Sequence, residues 1–358
     1  MYNKKRLVFS AFLVSLLYSF NCYCPKKKIK RAAKLPTVVI VTTGGTIAEK
    51  KNPKTGGVVP ALSGDQLIKA VPGLGKLAHI KVVQFCNVDS SRITPEQWRG
   101  LSAKVDEVLK DKKVVGVVVT HGTDTMAEGA FFLDVTLKSK KPVAFVGAMR
   151  DSGSLSPDGP ANIYNAVLQV ISQESKKFGV TVTLNQYINA AWNVRKTETT
   201  NVQTFNSGER GYLGYIAQGK VHKFYNRIPA RKIPLPKKLV KVVLLKTFAG
   251  DDGSFVRYAV DSGTKGIVIE GVGAGNVNQE VYKAIQYALS KGVIVVIATR
   301  VFNGAVYPIY GGPGGAKTLQ DEGAILVGDM AGPKARILLM LALSNGMNKD
   351  KINKYFSF

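Results

Sequence analysis

Val117-Val118-Val119-Thr120-His121-Gly122-Thr123-Asp124-Thr125 is a β-branched run that stops at a glycine and continues as a helical pattern from Met126 to about Lys138. The run closes a strand expected over Val114–Thr120. That strand is apolar almost throughout, as one buried on both faces must be. A sheet covered on both faces needs helices between its strands, which makes the strands parallel. The same layout recurs upstream, where the strand Val38–Thr43 runs into Thr42-Thr43-Gly44-Gly45-Thr46-Ile47-Ala48. Further strands are expected at Val82–Phe85, Val143–Val146, Val180–Leu184, Val242–Thr247, Ile267–Glu270 and Val293–Ala298. Between them lie helical patterns. Asp158 is placed to cap one, with Pro160 in its first turn and Ile163, Tyr164, Val167, Leu168 and Ile171 along it. Pro333 opens another, Ala335 to Leu343, with Gly346 just past its end.

This order predicts an α/β fold of two α/β domains. The larger, N-terminal one has a mostly parallel sheet with flanking helices, and the smaller, C-terminal one is a parallel α/β domain. The boundary is expected at 223–240, where three prolines and dense charge break every period. Residues 35–222 then form the N-terminal domain, which carries the candidate site, and residues 241–358 form the C-terminal one.

The start of the chain reads differently. Lys4, Lys5 and Arg6 precede an uncharged apolar stretch, Leu7 to Phe20. At 14 residues it is short for a bilayer span and suits a signal peptide over residues 1–24. Cleavage would leave a periplasmic or secreted protein, with lipid attachment at Cys22 or Cys24 or a retained membrane anchor as the alternatives. Residues 25–34 (PKKKIKRAAK) read as a basic tether.

The formal charge is +26 over 358 residues. Nine basic and no acidic residues fall in 1–34, so residues 35–358 carry 41 basic against 24 acidic residues, or +17. The lysines are scattered, and no aromatic–basic interleaving of the RNA-binding kind occurs, so no nucleic-acid partner is expected. Of three cysteines, two lie in the leader and leave Cys86 alone, expected as a buried strand thiol. Three histidines without ligand spacing argue against a catalytic metal.

The chemistry concentrates at strand tips, where ligands bind in open parallel sheets. Gly44 and Gly45 allow a sharp turn that presents Thr46, whose hydroxyl becomes a nucleophile if a base is near. Thr123 stands at the second tip beside Asp124, which can cap the following helix or pair with a substrate ammonium. His121 lacks the G-x-S-x-G elbow of a hydrolase triad. Gly147-Ala148-Met149-Arg150 ends a third strand and can offer backbone contacts. Lys196, in Asn193-Val194-Arg195-Lys196-Thr197, needs burial or a cationic neighbour such as Arg195 to act as a base. Gly271-Val272-Gly273-Ala274-Gly275-Asn276 lacks the full dinucleotide spacing and predicts no nucleotide. Glu49 to Gly64 is polar and rich in Gly and Pro, as a loop closing over the site would be.

Six ordered segments resemble the bacterial L-asparaginases: TTGGTIA at 42–48, VVVTHGTDTMAE at 117–128, GAMR at 147–150, SPDGPANIYNAV at 156–167, VRKTETTNVQTF at 194–205 and GPKARILLMLAL at 332–343. The similarity covers essentially all of 35–358. It implies an amidohydrolase that converts L-asparagine to L-aspartate and ammonia through a threonine acyl-enzyme, with L-glutamine as the alternative substrate. An inactive binding protein of the same fold is the competing class. By that resemblance Thr46 attacks the side-chain amide, and Thr123, Asp124 and Lys196 form the second catalytic group. Which threonine attacks first stays open. Asp124, Thr123, Ser90 and Ser91 would hold the substrate's α-groups, and the Ala148 region would touch the scissile amide. The resemblance further implies a homotetramer, no cofactor and no metal.

Two departures stand out. Many relatives place a tyrosine on the mobile loop, whereas Gly56-Gly57-Val58-Val59-Pro60 has none. Exported relatives often supply a glutamate from the partner subunit, whereas Tyr307-Pro308-Ile309-Tyr310-Gly311-Gly312-Pro313-Gly314-Gly315 has no acid. Asp89-Ser90-Ser91 likewise resembles the cytoplasmic type more than the exported one.

Overall fold

Strands and helices alternate along the chain. In the first half, β1 (Thr37–Thr42) leads through a short hairpin, β2 (Glu49–Lys51) and β3 (Val58–Pro60), to α1 (Gly64–Lys69) and α2 (Leu74–Leu77). Next come β4 (His79–Gln84), α3 (Pro95–Leu109), β5 (Val114–Thr120), α4 (Met126–Thr136), β6 (Val143–Val146), α5 (Gly159–Ile171) and β7 (Val180–Leu184). Five short strands follow: β8 (Tyr187–Ala190), β9 (Arg195–Lys196), β10 (Phe205–Asn206), β11 (Gly214–Ala217) and β12 (Lys220–Lys223). The rest alternates again through β13 (Val242–Lys246), α6 (Ser254–Asp261), β14 (Gly266–Gly271), α7 (Gln279–Ser290), β15 (Ile294–Thr299), α8 (Ala316–Asp321), β16 (Ile325–Leu326), α9 (Gly332–Ser344) and α10 (Lys349–Phe356). This computed structural model describes residues 34–51, 55, 57–60 and 63–356. The expected signal peptide and nearly all of the tether therefore lie outside the described residues, as do positions 52–54, 56 and 61–62 of the expected loop.

The first sheet has eight strands in the order β12-β11-β8-β7-β6-β5-β1-β4. Its β4-β1-β5-β6-β7 portion is parallel, and the β7-β8-β11-β12 edge is antiparallel. The second sheet, β13-β14-β15-β16, is wholly parallel. The inner parallel strands are buried on both faces because their side chains alternate between two cores, whereas the edge strands β4 and β13 are partly exposed. Val39, Val41, Val117 and Val119 face one core, which α3, α4 and α9 cover and which continues beneath the second sheet. Val38, Ile40 and Val118 face the other, which α5 closes with Ile163, Ala166, Val167 and Val170.

Several elements differ from expectation. Cys86 is half-buried and lies just beyond β4, its thiol donating to the Thr43 carbonyl at 3.3 Å; burial pushes its pKa up to about 11. The α4 helix stops at Thr136, before Lys138. Apart from these differences, Phe224–Lys241 has no regular element and is pinned to the body. Ile233 is buried and its amide donates to the Val135 carbonyl, while Arg227 pairs with the buried Asp134.

Candidate active site

The β1 and β5 tips meet first. They pair in register, and beyond them the Thr43 amide and hydroxyl both donate to the Thr120 carbonyl, at 3.1 and 2.9 Å. One step further, the two turns touch through backbone. A Cβ built on Gly45 would lie 2.2 Å from the Cα of Gly122, so no side chain fits between them. Gly45 also has φ +85°, a left-handed conformation that glycine adopts readily. Thr46 and Thr123 are each the next residue in their turn. Thr46 is half-buried in a 3₁₀ turn, Thr46–Ala48, instead of standing exposed at the tip. Thr123 is buried, at 5% exposure.

The Ser90 turn packs against the same place. A Cβ on Gly122 would meet the Ser90 hydroxyl at 2.5 Å. Buried Ser90 accepts from the Asp124 amide through its hydroxyl at 3.2 Å and from the Thr125 hydroxyl through its carbonyl at 2.7 Å. Ser91 is exposed, its amide turned back to the Asp89 carboxylate at 2.8 Å. A Thr94–Gln97 capping box with Pro95 in the first turn then starts α3, which fixes where this turn ends.

Ala148 is buried beside Ile47 in the second core. The start of α5 joins the two turns, since a Cβ on Gly159 would sit 3.0 Å from Ile47 and 3.5 Å from Ala148. Asp158 precedes α5 but makes no side-chain cap bond to it. Its carboxylate accepts instead from the amides of Met149 and Arg150, at 3.1 and 2.9 Å, and from the Asn162 side chain at 3.0 Å. Asn162 donates as well to the Gly147 carbonyl at 3.0 Å. This clasp holds the Ala148 loop. Its signal in sequence is Asp158-Gly159-Pro160-Ala161-Asn162, where an acid and an amide at i and i+4 share a helix face.

Lys196 arrives from outside the main sheet, on the β9–β10 ribbon. Its ammonium donates to the Thr123 hydroxyl at 2.9 Å and to the Asp124 carboxylate at 2.6 Å. Asp124 is therefore paired with Lys196, and Thr125 takes the cap position of α4. Arg195 does not back Lys196. Successive residues of a strand face opposite ways, and the Arg195 guanidinium lies 4.9 Å over the Phe302 ring. Burial lowers its pKa, opposed by Glu270 and Asp329.

His121 is fully buried and fully engaged. Trp98 donates to its Nε2 at 3.3 Å, so Nδ1 carries the hydrogen and donates to the Gly122 carbonyl at 2.7 Å. Burial brings its pKa down to about 4. It braces the Gly122 turn and offers no free lone pair to a nucleophile.

Thus four turns and one ribbon converge, with Thr123, Asp124, Lys196 and Ser90 in direct contact and Thr46 and Ala148 on adjoining turns. A buried hydroxyl touched by a lysine can lose its proton to the amine, and the ammonium so formed lowers the cost of the oxyanion. Strand-tip hydroxyls on a parallel sheet, one of them held by a lysine–carboxylate pair, are the elements of an enzyme that works through a hydroxyl nucleophile. Comparisons with known proteins give the family. Residues 37–229 match the model described as "Asparaginase, N-terminal", and residues 241–356 match the "Glutaminase/Asparaginase C-terminal domain". The chain belongs to the asparaginase family. It is 37% identical to L-asparaginase 2 of Escherichia coli over 91% of this chain and 94% of that protein. It is 38% identical to a probable periplasmic L-asparaginase of Haemophilus influenzae over 92% and 94%. Among solved structures, a probable cytoplasmic L-asparaginase from Campylobacter jejuni superposes with a TM-score of 0.82, at 40% identity, covering 90% of this chain and 99% of that one.

Proposed function

We propose that this amidohydrolase converts L-asparagine to L-aspartate and ammonia in two steps, with Thr46 as the nucleophile. Thr46 attacks the side-chain amide carbon, its hydroxyl proton is passed to the amide nitrogen, and the C–N bond breaks to release ammonia. Water then attacks the ester, with Lys196 in its neutral amine form taking the proton directly or through Thr123, and that proton returns to the Thr46 oxygen as the ester bond breaks. Asp124 receives the substrate's α-ammonium, Ser90 and Ser91 receive its α-carboxylate and amine, and the Ala148 loop lies against the scissile amide. The observation that carries the proposal is the Lys196 ammonium bonded to both Thr123 and Asp124, at 2.9 and 2.6 Å. A lysine so placed ties the proton-transfer group to the carboxylate that receives the substrate, and splitting the hydrolysis through an ester lowers each barrier. Ammonia release measured side by side with L-asparagine, L-glutamine and D-asparagine tests this. L-asparagine should be turned over fastest, and equal turnover of L-glutamine would make the enzyme a mixed glutaminase–asparaginase.

Export and assembly belong to the same proposal. The charged start and the apolar run Leu7–Phe20 support cleavage near residue 24 and a periplasmic or secreted product. Intact-mass measurement of the exported protein tests it, and a full-length cytoplasmic product would refute it. A homotetramer is supported by the large apolar side chains left exposed on the C-terminal half, Phe248, Phe255, Tyr258, Tyr307, Ile309 and Tyr310. Light scattering at micromolar concentration should give four chains, and a monomer would contradict this.

A further inference from the structure

Lys334 is an unusual buried charge. It stands in the first turn of α9, at 2% exposure. Its ammonium donates to two backbone carbonyls, Trp192 at 2.8 Å and Val194 at 2.5 Å. Those carbonyls belong to the turn between β8 and β9, and Val194 is two residues before Lys196. The same ammonium lies 6.0 Å from the centre of the Phe131 ring, in cation–π range. Phe131 belongs to α4, the helix that begins just after Thr123 and Asp124, and its ring packs on Trp192 at 5.2 Å between centres. Arg336, one α9 position pair further on, reaches Glu128 of α4 at 3.8 Å.

We infer that Lys334 is a positioning residue: from the second domain's last long helix it fixes, with one ammonium, both the turn that delivers Lys196 and the helix that follows Thr123–Asp124. The inference rests on the role proposed above for Lys196. The β9–β10 ribbon needs such a hold. Among the described residues it is two residues long on each side and pairs with no strand of the main sheet, while the Ser207 hydroxyl just past β10 donates to Asn189 of β8 at 2.7 Å. A carbonyl pair aimed at a donor fixes the turn's position to within hydrogen-bond tolerance. Burial draws the pKa of Lys334 well below the ordinary lysine value, helped by the Arg195 cation and opposed by Asp134 and Glu128. A neutral amine would still donate to both carbonyls, so the hold on the turn survives either charge state.

The test is a double-mutant cycle read by ammonia release. Lys334→Met should lower kcat by ten- to a hundredfold (displacing a reacting group by about 1 Å costs on the order of 10²-fold) and leave KM for L-asparagine within about twofold. Combined with Lys196→Ala it should cost clearly less than it does alone, because the lysine that the turn delivers is gone and only the hold on α4 remains. Equal fold losses in both backgrounds would overturn the inference and reduce Lys334 to a support of the general fold. Lys334→Arg and Lys334→Gln go through the same cycle in case the methionine variant does not fold. The arginine variant, which keeps its donors at the full reach of lysine, should keep more turnover than glutamine, whose amide donors sit one bond nearer the backbone, and the reverse order would count against the inference. Lys196→Ala with Lys334 intact tests the underlying role separately. Undiminished turnover there would overturn that role and this inference with it.

Discussion

Gly45→Ala probes the contact that brings the two threonine turns together. An alanine Cβ would lie 2.2 Å from the Gly122 Cα and 2.4 Å from the Gly122 nitrogen. Carbon atoms settle about 3.5–4.0 Å apart, so the turns must separate by roughly 1.3 Å or more. Two costs add. Holding alanine at φ +85° costs about 1–2 kcal/mol. Overpacking the contact costs about 1–3 kcal/mol more. Gly219→Ala separates them, because Gly219 has φ +71° and nothing within 4 Å of its built Cβ. That control should lose only the backbone part, about 1–2 kcal/mol, and keep full turnover. Gly45→Ala should lose more stability than the control in a thermal or denaturant melt. Its turnover should fall on the order of 10²-fold, because the separation displaces Thr46 from Thr123. If Gly45→Ala matched Gly219→Ala in both stability and ammonia release, the close approach of the turns would have no bearing on the site.

Other outcomes follow from the same geometry. Ser90→Ala removes the acceptor of the Asp124 amide and a proposed carboxylate contact, so KM should rise more than kcat falls in steady-state kinetics. Asp134→Ala leaves the Arg227 guanidinium buried without its partner, which should cost about 3–5 kcal/mol in a urea melt while the surviving folded enzyme keeps its kcat. His121 should make stability pH-dependent. Its folded pKa of about 4 lies below its ordinary 6.5, so the unfolded chain binds the extra proton between those values. The contribution of about 3 kcal/mol is present above pH 6.5 and is lost as the pH falls toward 4. His121→Gln should flatten that part of the stability–pH curve, and an unchanged slope would show that the proton goes elsewhere.

Much of this fold was legible because buried parallel strands write themselves in β-branched runs. Val114–Thr120, Val143–Val146 and Val180–Leu184 have the same limits in sequence and structure. The antiparallel edge was not legible. Tyr187–Ala190, Gly214–Ala217 and Lys220–Lys223 are four residues each and carry no apolar run. Their hairpins turn at Asn185-Gln186 and Gln218-Gly219, all at positive φ, and neither pair is the Asn-Gly that marks such turns most clearly. For the site, the strand tips pointed to Thr46 and Thr123 by themselves. The roles of Lys196 and Ser90 came only from family resemblance, because each reaches the site across long sequence separation on an element too short to have a period. Lys334 carried no signal at all, since a lone lysine in an apolar helix pattern reads as surface until its two carbonyl partners are known.

The central claim is that Thr46 carries the acyl group. It is tested most directly by ammonia release from L-asparagine with the purified chain and its Thr46→Ala variant, at equal folded concentration by melt. The account predicts steady release from the parent and none above background from the variant. Equal release from the two would contradict it.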